Sequence, residues 1–220
     1  MSFPTFRFIL ASQSPRRHEL ATAAGWDLII AAPPDHVEAT APPRKPHETV
    51  ADLVTRLART KAAAVAESVS CDSSNPPKRM ILACDTLGEI DDIPLGKPAD
   101  RAAAGRMIGA LAGRVHRVVT GVSLWIPVAT QSPAEAAQTA AESVERYTVY
   151  DAAAESLVLL EPLDAAAIEA YLDTEAWRGK AGSCGLQDGL LPLRLVSGTA
   201  DTVVGLPVAL VEQLVADHRR

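Results

Sequence analysis

Short apolar runs alternate with longer amphipathic stretches along this chain, the pattern of an α/β fold. Phe8 to Ala11 is apolar throughout and predicts a buried strand. Ser12-Gln13-Ser14 is a polar turn, and Pro15 suits the first position of a helix that ends near Gly25. Trp26 to Ala31 predicts a second strand, and the prolines between positions 33 and 47 predict a long loop. Val50, Leu53, Val54, Leu57 and Val65 then recur at helical spacing, so a helix is expected over 48–68. After a polar loop at 70–78, Met80 to Cys84 is a short apolar strand that ends at Asp85-Thr86. Leu87 to Leu95 predicts a hairpin over Asp91-Asp92, followed by a helix over 100–111 with Asp100 as its N-cap. A Val-rich strand is expected over 114–126, a surface insertion over 127–141, and strands over 143–150 and 155–160. The pattern closes with a helix from Asp164 to Leu172, a strand over 190–195 and a C-terminal helix opened by Pro207.

Composition narrows the class. At 220 residues with 48% hydrophobic content, the chain suits one α/β domain, 1–220, or two small lobes around one core. No run is long and apolar enough to cross a membrane, and the first residues do not read as a signal peptide. Cys71, Cys84 and Cys184 form no C-x-x-C pair and no disulfide framework, so a reducing cytoplasm is expected. A net charge of −6 argues against stable nucleic-acid binding, which needs a basic face. An acidic protein can still hold a polyanion where its few cations converge in one cleft.

The start of the first helix points to such a ligand. Arg16 and Arg17 stand in its first turn, where cations oppose the macrodipole. An anion held there by free backbone N–H groups, Ser12, Ser14 and the arginines removes that conflict. Lys61 lies on the apolar stripe of the 48–68 helix, where a lysine either snorkels out along its stem or points into a site; the expectation is a cleft-directed side chain. Asp85 follows a buried strand, the place where open α/β sheets put ligand chemistry. Lys97 precedes Pro98 and is held extended. The stretch Trp177 to Gly189 carries glycines at 179, 182, 185 and 189 together with Lys180 and Gln187, so backbone, cation and amide can approach a ligand closely.

Several chemistries are excluded. There is no phosphate-binding G-x-x-x-x-G-K-[ST], no G-x-G-x-x-G, no zinc-spaced Cys/His cluster and no G-x-S-x-G elbow. A thiol nucleophile, Cys184 with His116 as base, is the one nucleophilic arrangement left.

These segments together resemble the Maf family of nucleotide pyrophosphatases. The resemblance rests on Leu10-Ala-Ser-Gln-Ser-Pro-Arg-Arg17, Val37-Glu38, Lys61-Ala62, Ala83-Cys-Asp-Thr86, Gly96-Lys-Pro98 and His116-Arg-Val-Val-Thr-Gly121. It continues through Gly179-Lys-Ala-Gly182, Gly185-Leu-Gln187 and Val204-Gly-Leu-Pro207, and so covers nearly the whole chain. It implies a Maf/ITPase-like fold, a mixed twisted sheet flanked by helices with two lobes around a central cleft. It also implies a cytoplasmic homodimer that uses a divalent metal to cleave nucleoside triphosphates to the monophosphate and pyrophosphate. The family's proton acceptor falls on Asp85 and its specificity positions on Arg16, Thr86 and Gln187. Thr86 with Gln187 resembles the branch acting on dTTP and UTP; the same chemistry on 7-methyl-GTP or CTP, and a nucleotide-binding regulator without turnover, are the alternatives. Gly179 departs from a frequent Asp and Cys184 from a common Tyr.

On that footing Ser12, Ser14, Arg16, Arg17, Lys61, Lys97 and Lys180 are expected to hold the phosphates. Glu38 and Asp85 are expected to supply oxygen ligands to Mg²⁺ or Mn²⁺.

Overall fold

A computed structural model describes residues 6–34, 37, 44–70, 79–128 and 147–218. The first apolar run forms β1 (Arg7–Leu10), the polar turn leads into α1 (Pro15–Ala23), and β2 (Asp27–Ile30) pairs parallel to β1. The long helix is α2 (Val50–Ser70), two residues later than its apolar stripe predicts. Its start is fixed by a reciprocal cap: Asp52 N–H donates to Thr49 Oγ1 at 3.1 Å, and Thr49 N–H donates to Asp52 Oδ2 at 3.0 Å. Glu48, left outside the helix, accepts instead from Arg56 Nε at 2.6 Å.

Strand β3 (Met80–Ile90) is much longer than its apolar run and turns into β4 (Ile93–Leu95). Asp91 and Asp92 both take positive φ (51° and 60°), the signature of a tight hairpin turn. Helix α3 (Arg101–Leu111) starts as expected, with Asp100 accepting from Ala103 N–H at 2.7 Å. Strands β5 (Arg114–Pro127) and β6 (Tyr147–Leu160) pair antiparallel along their full length. The two strands expected over 143–160 are therefore one, since Ala152 to Ala154 stay in register opposite Val122 to Thr120. Of the insertion expected over 127–141, Pro127 belongs to β5 and residues 129–141 lie outside the described residues. Helix α4 (Ala165–Asp173), strand β7 (Leu193–Ser197), a short α5 (Ala200–Val204) and α6 (Val208–His218) complete the chain. Helix α5 has no counterpart in the sequence reading.

The seven strands of the described residues share one mixed sheet in the order β2-β1-β3-β5-β6-β7, with β4 on the far end of β3. Strand alternation divides the core between the two faces. Phe8, Leu10, Leu82, Val122 and Leu124 pack with Val211 and Val215 of α6. Ile9, Ile81, Ala83 and Trp125 pack with Ala58, Ala62 and Val65 of α2. A third cluster, Ile90, Leu95, Ile108, Leu111, Leu160 and Trp177, builds a second lobe around the distal halves of the long strands. Gly121 lets α2 lie directly on β5: a Cβ there would stand 2.4 Å from Thr55 N and from Val54 C. That close approach sets the height at which α2 side chains meet the sheet. Among the described residues no helix is long and apolar enough to cross a membrane.

Candidate active site

The cleft exists because two neighbours of β3 have different lengths. Parallel pairing with β1 ends at Leu10 opposite Leu82, and Ala11 N–H closes it by donating to Leu82 O at 2.8 Å. The chain then leaves through Ser12 into α1, while β3 runs on against β5 on its other side, and its vacated edge stays unpaired among the described residues until β4 joins it at Gly88. Asp85 and Thr86 occupy the edge that β1 vacates. The expectation that Asp85 ends a strand is thus corrected: it sits within β3, but just beyond the point where the parallel part of the sheet stops. Alternation sends Asp85 toward α2 and Thr86 toward α1 and α5. Both line one cleft of about 320 Å³.

Cations dominate that cleft. Among the described residues its lining includes Arg16, Arg17, Lys61, Lys97 and Lys180 against a single carboxylate, Asp85, so a protein of net charge −6 gathers cations in this pocket. Lys61, only 7% exposed, reaches from α2 to Asp85 Oδ1 at 2.5 Å. The spacing left snorkelling and site-directed readings open, and the side chain points into the cleft. Arg17 is fixed by three bonds: Nε to Gly205 O at 2.8 Å, Nη1 to Ser12 Oγ at 3.3 Å and Nη2 to Thr86 Oγ1 at 3.1 Å. Two of its five N–H donors are left over. Gly205 has φ 112°, and a Cβ there would press within 2.8 Å of Thr86 Oγ1 and 3.0 Å of Arg17 Nε. Arg16 makes no hydrogen bond or ion pair with the described residues. Ser14 is the N-cap of α1 as expected, yet its hydroxyl caps nothing, and its own N–H donates to Ser12 Oγ at 3.2 Å. The first-turn N–H groups have no partner within the helix, and the turn itself carries no acidic residue. Lys97 is exposed beside Gly96, whose carbonyl accepts from Gly182 N–H at 3.1 Å.

Two positions behave differently from the sequence reading. The Thr86 hydroxyl was expected to reach a base edge, but it is already engaged. Thr120 donates to Thr202 O at 2.7 Å, so across the 2.9 Å contact between the two threonines Thr86 is the donor. Thr86 also accepts from Arg17, and its hydroxyl therefore belongs to a chain that runs from α5 through β5 and β3 to α1. Lys180, 8% exposed, forms a close ion pair with Asp188. Asp188, Thr120, Thr202 and Gly205 were not assigned roles from sequence. An acid among the loop glycines and a Thr on the buried face of a Val-rich strand are the signals that mark the first two.

The far end of the cleft is apolar, lined by Leu95, Leu111, Val118, Val158 and Leu193. Gln187 stands exposed at its rim, with no hydrogen-bond partner among the described residues. Burial pushes the Cys184 thiol up to about 12, the opposite of an activated nucleophile. The arrangement of Cys184 with His116 as a catalytic pair is set aside on that ground. Burial lowers the His116 pKa and outweighs hydrogen bonding from the Arg114 backbone, which acts in the other direction, so the ring is neutral.

For a metal, Asp85 offers Oδ2 beyond its contact with Lys61, and Glu38 lies outside the described residues. Among the described residues no three His, Cys, Asp or Glu side chains cluster as a closed metal cage. An open carboxylate beside a polyanion pocket suits Mg²⁺ or Mn²⁺, which bind through one or two carboxylates together with substrate phosphates.

The family described as Maf-like protein matches residues 7–218. A protein named dTTP/UTP pyrophosphatase from Symbiobacterium thermophilum is 36% identical over 206 residues, 92% of this chain and 89% of that protein. One of the same name from Bordetella avium is 36% identical over 207 residues, 92% of this chain and 90% of that protein. Another from Chlorobium phaeovibrioides is 32% identical over 215 residues, 96% of this chain and 95% of that protein.

Proposed function

Since the chain belongs to the Maf-like protein family, we propose that it is a nucleoside triphosphate pyrophosphatase acting on dTTP and UTP. The observation that carries this is the Lys61–Asp85 pair at the vacated edge of β3, inside a cleft lined by four further cations. A triphosphate withdrawn from water needs matched cations and N–H groups. The α1 start, Arg16, the remaining donors of Arg17, Ser12, Ser14, Lys97 and Lys180 supply them in one place.

The chemistry follows from where the carboxylate is held. Lys61 takes Oδ1 of Asp85 and leaves Oδ2 for a water molecule aimed at the α-phosphorus. As the water oxygen bonds to that phosphorus, the bond to the bridging α–β oxygen breaks, pyrophosphate departs and Asp85 accepts the water's proton. A divalent cation held by Asp85, with Glu38 as second carboxylate, would supply Lewis-acid stabilisation of phosphate charge. Arg16, Arg17 and the lysines stabilise the charge that develops on the leaving pyrophosphate.

Base choice is assigned to Gln187, whose amide offers one donor and one acceptor to the N3–H and carbonyl of uracil or thymine. Thr86 contributes to specificity through Arg17, which its hydroxyl holds in place. A cytoplasmic homodimer completes the proposal, and the dimer has a candidate contact in β2, an edge strand with an open hydrogen-bonding edge among the described residues. The test is a panel of canonical and 7-methylated triphosphates with product identification. Pyrophosphate from dTTP and UTP, at least about tenfold ahead of CTP and the purines in kcat/KM, is expected from the 1–3 kcal/mol cost of an unpaired polar group. Best turnover of 7-methyl-GTP or CTP overturns the base assignment; release of orthophosphate, or no turnover, overturns the activity.

A further inference from the structure

We propose that His116 is a nucleobase-binding residue, completing the hydrogen bonding that Gln187 leaves unfinished. The inference rests on the nucleotide site described above. Strand register places the imidazole at the correct end of the cleft. On β5, Thr120 pairs with Thr86 and Val118 with Gly88, while His116 lies two residues further toward the apolar end. At the usual rise, His116 stands about 13 Å along the strand from Thr120, enough for a ribose and a base beyond the α-phosphate. Across β5 its neighbour is Val158, which lines the same apolar end.

The ring is 5% exposed and lines the cleft, yet its Nδ1 is buried without a hydrogen-bond partner. The Arg114 backbone is the ring's one hydrogen-bonding neighbour among the described residues, yet its geometry leaves Nδ1 without a well-formed bond. A buried, unpartnered imidazole facing apolar walls is costly unless a ligand satisfies it. The other side chain that sequence places against the base, Thr86, has its donor committed to Thr120. Uracil and thymine present acceptor, donor and acceptor in succession. One amide can satisfy only two of these, which leaves a carbonyl for the N–H of a neutral imidazole.

The experiment is equilibrium binding without turnover, by calorimetry, using the α,β-methylene analogue of dUTP and inorganic tripolyphosphate as ligands. His116→Phe keeps a planar ring and removes both nitrogens; His116→Asn returns a polar group near the Nδ1 position. The Phe variant should bind the dUTP analogue about tenfold more weakly than the parent, the scale of one unmet buried hydrogen bond, with tripolyphosphate affinity unchanged. The Asn variant should recover part of the loss. Equal weakening toward both ligands, or no weakening toward either, overturns the inference, and the Asn variant decides the matter should the Phe variant fail to fold. Hydrolysis is not read in this assay. A parent protein that binds the analogue but cleaves no triphosphate would overturn the proposed activity and leave the His116 result standing.

Discussion

Replacing Lys61 with Met keeps the length of the stem and removes the charge that faces Asp85. The pair is tight, 2.5 Å between Nζ and Oδ1, and both side chains are mostly covered, at 9% and 15% exposure. Coulomb attraction at that distance is about 7 kcal/mol at an effective dielectric constant near 20. Desolvation of the two ions offsets much of this, so the net worth of the pair is far smaller. Deleting one partner is another matter, since it strands a charge, and such deletions cost about 3–5 kcal/mol when burial is complete. Asp85 keeps an opening to the cleft and can hydrate there, which puts Lys61→Met near the lower bound, about 3 kcal/mol. Asp85→Asn takes the charged partner at 2.5 Å from the lysine and is destabilising in the same sense. In the double variant two neutral side chains face each other, so urea unfolding should show the double costing less than the two singles summed, by at least about 1.5 kcal/mol, within the range for contacting residues. Kinetics separate the roles, because Asp85→Asn should lower kcat at least about 100-fold with the fold intact. Strict additivity of the two stability losses would refute the reasoning that this contact is a coupled, partly buried pair, and near-parental turnover of Asp85→Asn would remove it from the chemistry.

Thr120→Val is nearly isosteric but deletes the middle of the chain from Thr202 to Arg17; it should cost about 1–3 kcal/mol in urea unfolding and raise KM for the triphosphate more than it lowers kcat. Gly121→Ala drives a methyl group into the Val54–Thr55 backbone, so thermal unfolding should report a loss of about 3 kcal/mol or more. Because Lys61 rides on the same helix, kcat should fall in whatever fraction remains folded. Gln187→Leu should bring dTTP and CTP to within about threefold of each other in kcat/KM, by removal of the polar discrimination, and slow the best substrate less than that.

Much of this molecule was legible from residue pattern, and the exceptions share physical causes. The runs behind β1, α1, α3 and α4 sit where periodicity and capping residues place them. Strand β3 was cut short because Asp85 and Thr86 break its apolar run; nothing local announces that β5 continues pairing as far as Arg117 opposite Glu89. In β6 the alanines at 152–154 weaken the alternation that marks a strand, though their pairing with β5 is unbroken. Helix α5 spans five residues, too short for a helical period to show. At the cleft, the charge conflict of Arg16 and Arg17 and the position of Lys61 on an apolar stripe were readable. The committed hydroxyl of Thr86 was not, because its partners lie on strands and helices distant in sequence. The Lys180–Asp188 pair was missed for another reason: eight residues of glycine-rich loop have no period from which to infer which side chains meet.

The central claim is that water attacks the α-phosphorus from the Asp85 side of the cleft, and isotope tracing tests it most directly. Turnover of dTTP in ¹⁸O-labelled water, followed by mass spectrometry of both products, reports which phosphorus received the oxygen. The account predicts one labelled oxygen in the nucleoside monophosphate and none in the pyrophosphate. Label in pyrophosphate or in released orthophosphate, with an unlabelled monophosphate, would contradict it.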